Sequence, residues 1–295
     1  MKFNNKISRD SLKAYRILVI GSLNVDVHHQ IEGDPEDDGC ARIVESSVEA
    51  GGHAFNCASV LAKLGVQVDL AAVIGDDEEG VFLSTKAREA GVASELIQIA
   101  PGRASGKVFI QHYPSKRVML FQRGASEHFD VARLDCLMRQ TRYDITILCD
   151  AGDSATNIAS FISSPHWIFS PGAFYSPRDV SEIAQGAKLL IVNRQEAKAY
   201  DLPAPSRLQL RVIVTQGDIG ASLYDVENLH LAPPDVNVVD PTGAGDAFVA
   251  AAALGILADL PPRELLSLAN TAGALATRAR GARGSLPTYE ELFGQ

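Results

Sequence analysis

The chain has 295 residues, of which 46% are hydrophobic, and this is enough for one large domain or two small ones. Its formal net charge of −9 disfavours nucleic acid and other polyanions as partners. No apolar run approaches the length of a membrane span, and the polar opening lacks the apolar core of a secretory signal. We therefore expect a cytoplasmic protein without a membrane partner, whose residues 1–14 form a disordered tail. Four cysteines without metal-ligand or CxxC spacing agree with a reducing compartment: Cys40, Cys57, Cys136 and Cys149.

Short apolar runs of strand length recur along the chain and are rich in Val, Ile and Leu. Continuous apolar runs are typical of strands that are buried on both faces of a parallel sheet. The predicted strands lie at 16–21, 68–75, 107–111, 144–149, 167–169, 188–192 and 211–215.

Segments with apolar residues at helical spacing separate many of these runs. The first two end at Gly65 and Gly91, which are suitable C-terminal caps. The alternation of strand and helix predicts one doubly wound α/β domain over residues 15–295, with a mostly parallel sheet and helices on both faces. The predicted helices lie at 54–65, 78–91, 154–163, 178–186, 246–258 and 264–280.

Two segments interrupt this alternation, at about 25–50 and 102–124. The second one contains two strand-like runs joined by a Pro-Ser turn. Extra β-structure in an α/β domain often covers a ligand, so we expect a small β-lid. An ordinary surface excursion explains the same pattern equally well.

The stretch VVDPTGAGDAF places acids and glycines where a helix is predicted to begin. The turn of Gly243, Ala244 and Gly245 would lie at the helix N-terminus, where backbone N–H groups lack partners and the dipole favours anions. Asp246, in the first helical turn, is either a simple capping acid or a group that acts on a ligand. The second acid, Asp240, makes the motif richer than capping requires.

Two further stretches place short polar side chains beside predicted elements. Asn24 and Asp26 follow the first strand at alternate positions, so both side chains face one side. The carboxyl ends of strands are where α/β sheets hold ligands, although Asn and Asp are also ordinary loop residues. Gly51 and Gly52 precede a predicted helix that carries Asn56 on its apolar face, where an amide needs a partner.

Asn193 and Glu196 follow the strand predicted at 188–192. If a helix begins there, both side chains can point at one spot. A carboxylate with an amide suits a hydrated magnesium ion. An N-cap followed by a capping-box glutamate explains the same pair equally well.

Together these stretches resemble the ribokinase-like (PfkB) family of carbohydrate and nucleoside kinases. The resemblance runs from Gly21 to Pro287 and rests on four motifs in the family's order. The late signature of acids and glycines is Asp240, Thr242, Gly243, Ala244, Gly245 and Asp246, with Pro241 at the variable position. The other three are the early loop of Gly51, Gly52, Asn56 and Leu64-Gly65, the Asn-x-x-Glu element of Asn193 and Glu196, and the nucleotide loop of Thr215, Gly217 and Gly220.

The resemblance implies an ATP-dependent kinase that transfers the γ-phosphate to a hydroxyl of a small sugar. Asp246 matches the general base, and the backbone N–H groups of Gly243, Ala244 and Gly245 match the anion hole. Such a transfer needs mainly positioning and electrostatic stabilisation. The matching acceptor-binding positions are Asn24, Asp26, Gly51, Gly52, Asn56 and Asp246.

The same resemblance implies ATP and Mg²⁺ as cofactors. The matching nucleotide contacts are Asn193, Thr215, Gly217, Gly220 and Asn270. Glu196 and Asn193 match the magnesium element, which would bind the ion through water. Many members also bind a monovalent cation such as K⁺ through backbone carbonyls, and the matching positions are Asp240, Thr242, Ala276, Gly281 and Ser285.

Some positions depart from the pattern of ribokinases proper. The run Gly-Gly-Lys-Gly-Ala-Asn appears here with His53, Ala54 and Phe55 between the glycines and Asn56. Phe55 could offer an aromatic surface to a nucleoside base or pack in the core. Arg123 could reach an anionic group on the acceptor or be a solvated lid residue. We expect a sugar acceptor, with a nucleoside as the alternative.

Two non-enzymatic alternatives are a sensor that binds a sugar or nucleotide and a structural subunit, but neither needs a base at Asp246. We expect the lid to close over the acceptor, and its exposed edges to be covered in a homodimer. The stretch GRASGKV at 102–108 is not a P-loop, because that motif needs Gly at 101 and Ser or Thr at 108.

Overall fold

The computed structural model describes residues 6–202, 210–225 and 228–294. In chain order the strands are β1 (Arg16–Ile20), β2 (Asn24–Glu32), β3 (Arg42–Gly51), β4 (Gln67–Gly75), β5 (Ile97–Ala100), β6 (Lys107–His112), β7 (Arg117–Gln122), β8 (Ile145–Leu148), β9 (His166–Phe169), β10 (Leu189–Asn193), β11 (Arg211–Thr215), β12 (Ala221–Tyr224) and β13 (Leu229–Leu231). The helices are α1 (Arg9–Ala14), α2 (His53–Lys63), α3 (Glu78–Glu89), α4 (Val131–Met138), α5 (Ala155–Ala159), α6 (Pro177–Ala184), α7 (Arg194–Ala199), α8 (Ala244–Leu257), α9 (Pro262–Ala276) and α10 (Tyr289–Phe293). None of the helices in these residues is long and apolar enough to cross a membrane.

A large sheet in the order β13-β12-β11-β10-β9-β8-β1-β4-β5 forms the centre of the molecule. From β11 to β5 all neighbours are parallel, whereas β12 and β13 are antiparallel additions at one edge. The strands with long apolar runs are the buried ones, as β1 and β4 illustrate. This confirms the predicted doubly wound α/β fold, with a mostly parallel sheet.

Helices cover both faces of the sheet, and alternate residues of β1 reach opposite layers. Ile17 and Val19 pack in the layer that contains α2, α8 and α9. Leu18 and Ile20 pack in the layer that contains α4, α5 and α6. Because successive strand side chains point to opposite faces, one apolar strand serves two cores.

The second sheet has the order β3-β2-β6-β7 and draws its strands from both segments that were predicted to form a lid. Strands β2 and β3 are antiparallel, β2 and β6 parallel, and β6 and β7 antiparallel. Paired residues share a face, so Glu49, Asp26, Val108 and Phe121 form one row across the sheet. We call the face that carries this row the inner face of the lid sheet. Closure of the lid on an acceptor stays a prediction.

The N-terminal region differs from the expected tail. Residues 1–5 lie outside the described residues, but from Lys6 onward the chain packs against the domain. Ile7 and Leu12 are fully buried, and Ser8 caps α1. These two apolar side chains are enough to hold the polar N-terminal segment against the domain, because folding removes both of them completely from water.

Candidate active site

The turn before α8 has a backbone that only glycine adopts without strain. Gly243 has φ +82°, and a Cβ there would lie 2.5 Å from the carbonyl oxygen of Ala282. No side chain caps this helix N-terminus. The N–H of Ala244 donates to the carbonyl of Pro241 at 3.2 Å. The turn therefore leaves an uncapped helix N-terminus, which favours an anion.

Asp246 lies in the first turn of α8 and directs its carboxylate toward α2 instead of the helix's own N–H groups. Its Oδ2 accepts a hydrogen bond from Nδ2 of Asn56 at 2.8 Å. Its Oδ1 lies 2.6 Å from Nδ1 of His53. The carboxylate is thus held by two side chains from another helix, and simple capping does not describe it.

His53, the first residue of α2, connects the base candidate to the strand ends. Its backbone N–H donates to Oγ of Ser22, and its Nε2 lies 3.0 Å from Oγ of Ser170. Burial alone would lower the pKa of the imidazole, but the neighbouring Cys149 and Asp246 outweigh burial and raise this pKa well above its ordinary value. The contact with the Asp246 carboxylate therefore favours the protonated form of His53.

The predicted acceptor residues converge where β2, β3 and the start of α2 meet. Asn24 and Asn56 are buried, and the Oδ1 atom of each has no hydrogen-bond partner among the described residues. A Cβ on Gly51 would overlap the Asp26 carboxylate, and one on Gly52, whose φ is +102°, would meet the Ser22 carbonyl. Buried polar atoms without partners are costly unless a ligand completes them, so this corner fits a hydroxyl-bearing molecule.

Asp26 is nearly as buried as these amides, and its charge state depends on its neighbours. Burial first, and then the carboxylates of Asp246 and Glu49, raise its pKa to about 7, against an opposing effect of Arg283. Arg283 stacks over the ring of Phe55 and donates to the carbonyl of Ala50. At neutral pH Asp26 can therefore both donate and accept hydrogen bonds.

Two interpretations left open by the sequence are decided by packing. Phe55 is fully buried, so it packs in the core and offers no surface to an acceptor. Arg123 is not a solvated residue: its Nη1 lies 2.8 Å from both carboxylate oxygens of Asp150, and its Nε lies 3.1 Å from Glu127. It also stacks on the ring of Phe174. Arg123 is therefore a fixed ion-paired residue at the end of β8.

Four of the five predicted nucleotide residues line a cleft of about 480 Å³ between β11, α8 and α9, and Asn193 does not border it. Thr215, Gly217, Gly220 and Asn270 all border it, and the two glycines have positive φ. The Nδ2 of Asn270 donates to the carbonyl of Leu231 at 2.9 Å. Ala244 and Gly245 border the same cleft, so its end lies at the N-terminus of α8. The apolar part of its wall, which suits a nucleobase, includes Pro233, Val236, Val238 and Phe248.

Asn193 and Glu196 form a capping box on α7, which was the alternative to a magnesium element. The Asn193 Oδ1 accepts from the Glu196 N–H, and the Glu196 Oε2 accepts from the Asn193 N–H, each at 2.9 Å. Burial, and then repulsion from Asp246 and Asp150, raises the pKa of Glu196. The capping bonds use one oxygen of Glu196, so the pair still fits a hydrated Mg²⁺, which would relieve this repulsion.

The five positions predicted for a monovalent cation lie in loops and at the C-terminal end of α9. The Asp240 carboxylate accepts from the N–H and hydroxyl of Thr242 and from the Gly281 N–H. Ser285 donates from Oγ to the carbonyl of Leu275, beside Ala276. Arg117 of β7 reaches this loop and donates to Oγ1 of Thr242 at 2.7 Å. These contacts explain why the pKa of Asp240 is lowered, although burial opposes the shift.

Sequence reasoning left the roles of His53 and Arg123 open, named Cys149 only as a free thiol, and gave Ser170 and Arg283 no role in the site. The sequence gives no signal for these contacts, because the partners are distant along the chain. Ser170 lies 117 residues from His53. The one available signal was that His53 replaces the lysine of the Gly-Gly-x-x-x-Asn loop, next to the site.

Comparison with known proteins agrees with this geometry. Residues 14–289 match the pfkB family carbohydrate kinases. An ATP-dependent ribose-1-phosphate kinase of Halopiger xanaduensis is 30% identical over 94% of this chain and 96% of that protein. Among solved structures, an uncharacterized sugar kinase of Pyrococcus horikoshii has a TM-score of 0.82 at 23% identity, covering 95% of this chain and 97% of the other. A nucleoside kinase of Burkholderia thailandensis, in complex with inosine, has a TM-score of 0.81 at 22% identity, covering 94% of each chain. The chain belongs to the pfkB family of carbohydrate kinases.

Proposed function

We propose that the protein transfers the γ-phosphate of ATP to a hydroxyl group of a small sugar. The observation that carries this proposal is the position of the Asp246 carboxylate. It lies at the uncapped N-terminus of α8, where the nucleotide cleft ends, and it bonds to Asn56 of the acceptor corner. A general base has to lie between the two substrates in this way.

In this mechanism Asp246 accepts the proton of the attacking hydroxyl as the new P–O bond forms and the bond to the β-phosphate oxygen breaks. His53 and Asn56 fix the carboxylate, so that one oxygen lone pair faces the hydroxyl. The N–H groups of the Gly243–Gly245 turn stabilise the negative charge on the transferred phosphoryl group. Charge stabilisation by fixed donors is the main contribution that a protein makes to this reaction.

The nucleotide would fit the residues of the cleft beside α8, and its metal ion would fit the pair at the start of α7. Thr215, Gly217, Gly220 and Asn270 would hold ATP in the apolar cleft. Glu196 and Asn193 would hold Mg²⁺ through water, and the ion would neutralise phosphate charge during transfer. Asp240 and the carbonyls near it would hold a monovalent cation such as K⁺, next to the anion hole.

The acceptor corner favours a sugar. Asn24, Asp26 and Asn56 present short polar groups, two of them with unpartnered oxygens, and such groups suit vicinal hydroxyls. The relative from Halopiger xanaduensis is named for a sugar derivative. A nucleoside is the second candidate, because Phe121 of the lid packs edge-to-face on exposed Phe174, and a base could stack beside this pair.

Two further features belong to the proposal. The lid sheet would close over the acceptor, and its outer surface would pair with the same surface of a second copy. The cytoplasmic location expected from the sequence stays a prediction, and it suits a kinase that needs ATP and carries free thiols.

A coupled assay of ADP release over a panel of sugars and nucleosides tests the function. We expect acceptor-dependent ADP release with one class, lost in Asp246→Asn. ATP binding without turnover on any acceptor would instead support a sensor.

A further inference from the structure

Phe174 has a backbone conformation that a bulky residue rarely adopts. Its φ is +77°, in the left-handed region, where the β-carbon of an L-residue lies too close to a carbonyl oxygen. Its side chain is 67% exposed, so burial does not offset this strain. Strained residues persist where the surrounding structure enforces them, and they concentrate at functional sites. Packing in the core therefore does not account for Phe174.

The ring of Phe174 connects the α/β domain to the lid sheet. It packs edge-to-face on Phe121 of β7, with 5.1 Å between the ring centroids. The guanidinium of Arg123 lies over the same ring, 5.1 Å from its centroid. Phe121 shares the inner face of the lid sheet with Asp26, two strands and roughly 10 Å away. Phe174 therefore holds the lid sheet on the side where the acceptor corner lies.

Phe174 belongs to residues 170–175, which we call the linking loop. The loop begins directly after β9 with the buried Ser170, whose N–H donates to the carbonyl of Leu148 at the end of β8. The Oγ of Ser170 lies 3.0 Å from Nε2 of His53. The linking loop thus has Phe174 in contact with the lid sheet and Ser170 in contact with the site.

Two tyrosines hold the part of the linking loop between and beside these contacts. Tyr200, just after α7, donates from its hydroxyl to the carbonyl of Gly172. The hydroxyl of Tyr175 accepts from the N–H of Ala151 at 3.0 Å. Close-packed segments of this kind transmit a displacement at one end to the other, because they have little room to absorb it.

His53 connects the linking loop to the base. Its Nε2 contacts Ser170, and its Nδ1 lies 2.6 Å from Oδ1 of Asp246. The two nitrogens belong to one rigid ring, so a change in the contact with Ser170 turns the ring and moves its contact with Asp246. A continuous series of contacts therefore runs from the lid sheet to the base.

We propose that Phe174 is a positioning residue that couples the position of the lid sheet to the orientation of the Asp246 carboxylate. While Phe121 holds the ring, the linking loop keeps Ser170 against His53. When the lid sheet moves away, the strained backbone of Phe174 relaxes and the contact between Ser170 and His53 is lost. The base is then oriented only under the lid sheet, which protects ATP from attack by water. This inference rests on the proposed role of Asp246 and adds a residue that acts through it.

A matched pair of variants separates the ring from the strain. Phe174→Ala removes the ring but keeps the strain, whereas Phe174→Gly removes both, because glycine adopts a positive φ freely. We expect Phe174→Ala to lower kcat roughly tenfold, since the loop relaxes without its partner, and Phe174→Gly to restore most of this loss. Phe174→Tyr keeps the ring and should retain the wild-type kcat.

The kinetics use whichever of D-ribose, D-fructose, adenosine and inosine gives the fastest ADP release with the wild type. The KM values for ATP and for this acceptor should stay within about twofold in all three variants, because a misplaced base lowers kcat without changing binding. Phe121→Ala should lower kcat in the wild type but not in the Phe174→Gly background, where the loop no longer depends on the ring.

The ring of His53 gives a second measurement, which does not depend on activity. In ¹⁵N spectra of the seven histidines, Phe174→Ala should shift the ring signals of His53, identified with His53→Gln, and Phe174→Gly should leave them close to the wild type. Asp259→Ala is the matched control, because Asp259 is another exposed residue with positive φ, +46°, past the end of α8. It should change neither kcat nor the His53 signals. Calorimetric titration of ATP and cooperative thermal unfolding show that each variant is folded.

The inference is overturned if Phe174→Ala and Phe174→Gly have the same kcat, or if Phe174→Ala leaves the His53 signals unchanged. It is also overturned if Phe174→Ala raises the KM for the acceptor at unchanged kcat, since the ring would then bind the acceptor directly. If none of the four acceptors supports ADP release by the wild type, the proposed function fails for them, and the His53 spectra alone decide whether the lid sheet is coupled to the base.

Discussion

Both carboxylate oxygens of Asp246 have protein partners, His53 on one side and Asn56 on the other. These partners hold the carboxylate but leave each oxygen a second lone pair that can accept a proton. We predict that Asp246→Asn lowers turnover by roughly 10²–10⁴-fold, because the amide keeps the size of the side chain but cannot take a proton. Nucleotide affinity, measured by calorimetric titration, should change little. A variant that keeps more than about a tenth of wild-type turnover would exclude Asp246 as the base.

The His53–Asp246 pair should be strongly coupled, because both side chains are mostly buried. We predict that His53→Leu destabilises the fold by about 3–5 kcal/mol, since it leaves a buried carboxylate without its cation. The same change should cost much less in the Asp246→Asn background. Urea unfolding of the wild type, both single variants and the double variant gives the coupling energy. Additivity within about 0.5 kcal/mol would mean that the two side chains do not act as a pair.

Asp26 gives a prediction about pH. Its pKa of about 7 in the folded state is above the value of about 3.9 for an unfolded chain. Between these values the folded state binds more protons, so the contribution of Asp26 is fully present below pH ~4 and is lost as the pH rises through 7. The amide of Asp26→Asn does not titrate, so the variant does not lose this contribution to stability as the pH rises. We therefore expect the variant to gain a few kcal/mol over the wild type between pH 4 and pH 8, at about 1.4 kcal/mol per pKa unit.

Denaturant unfolding at both pH values measures this difference, and Asp37→Asn, at an exposed position before β3, is the control. If Asp26→Asn and the wild type lose stability in parallel between pH 4 and pH 8, the carboxyl group of Asp26 is not desolvated as described.

At the scale of elements, the sequence predicted the strands that helices bury on both faces. The runs at 16–21, 68–75 and 211–215 coincide with β1, β4 and β11, because strands covered by helices on both sides must be apolar throughout. Short elements with little burial escaped prediction. Helix α4 buries only Leu134 and Met138, so it has too few apolar positions to show a helical period. β5 and α10, of four and five residues, are too short to show any period.

The residues of the site also fall into a group that the sequence could place and a group that it could not. Positions fixed by the backbone, such as the positive-φ glycines at 52 and 243, could be placed from the sequence. The partners of Asp246 could not be placed from the sequence, because Asn56 and Asp246 are 190 residues apart and come together only when α2 and α8 pack side by side. The pairing of Arg123 with Asp150 likewise depends on how the lid sheet meets the end of β8.

The lid sheet is connected to the loop of Asp240–Thr242 before α8 by Arg117, which donates to Oγ1 of Thr242 at 2.7 Å. We predict that acceptor binding increases the hydrogen-exchange protection of 25–50 and 102–124. We also predict that Arg117→Ala increases exchange in β6 and β7 without ligand, because it removes this contact with the loop before α8. Lys116→Ala, in the adjacent turn, is the control and should behave like the wild type. Unchanged protection of both segments when acceptor is added would rule out closure.

On the scale of the whole molecule, the face of the lid sheet opposite Asp26 carries an apolar row. Paired residues across the four strands are Val48, Val27, Phe109 and Leu120. Val48 and Leu120, at the two ends of the row, are 58% and 54% exposed, whereas Val27 packs against the core. A row of apolar side chains on an open sheet is a common feature of interfaces between copies of a chain, and a symmetric dimer would cover it in both copies.

We therefore predict a dimer that depends on this row. Size-exclusion chromatography with light scattering should give twice the mass of the chain, which is 31.5 kDa. Val48→Asp should shift the protein to the monomer, because a two-fold interface brings the new charge close to its own copy and leaves both without partners. Val81→Asp on α3 changes an apolar residue outside the lid sheet that is even more exposed, at 70%, so it should leave the dimer intact. If the wild type is a monomer at micromolar concentration, or if both variants remain dimers, the lid is not the interface.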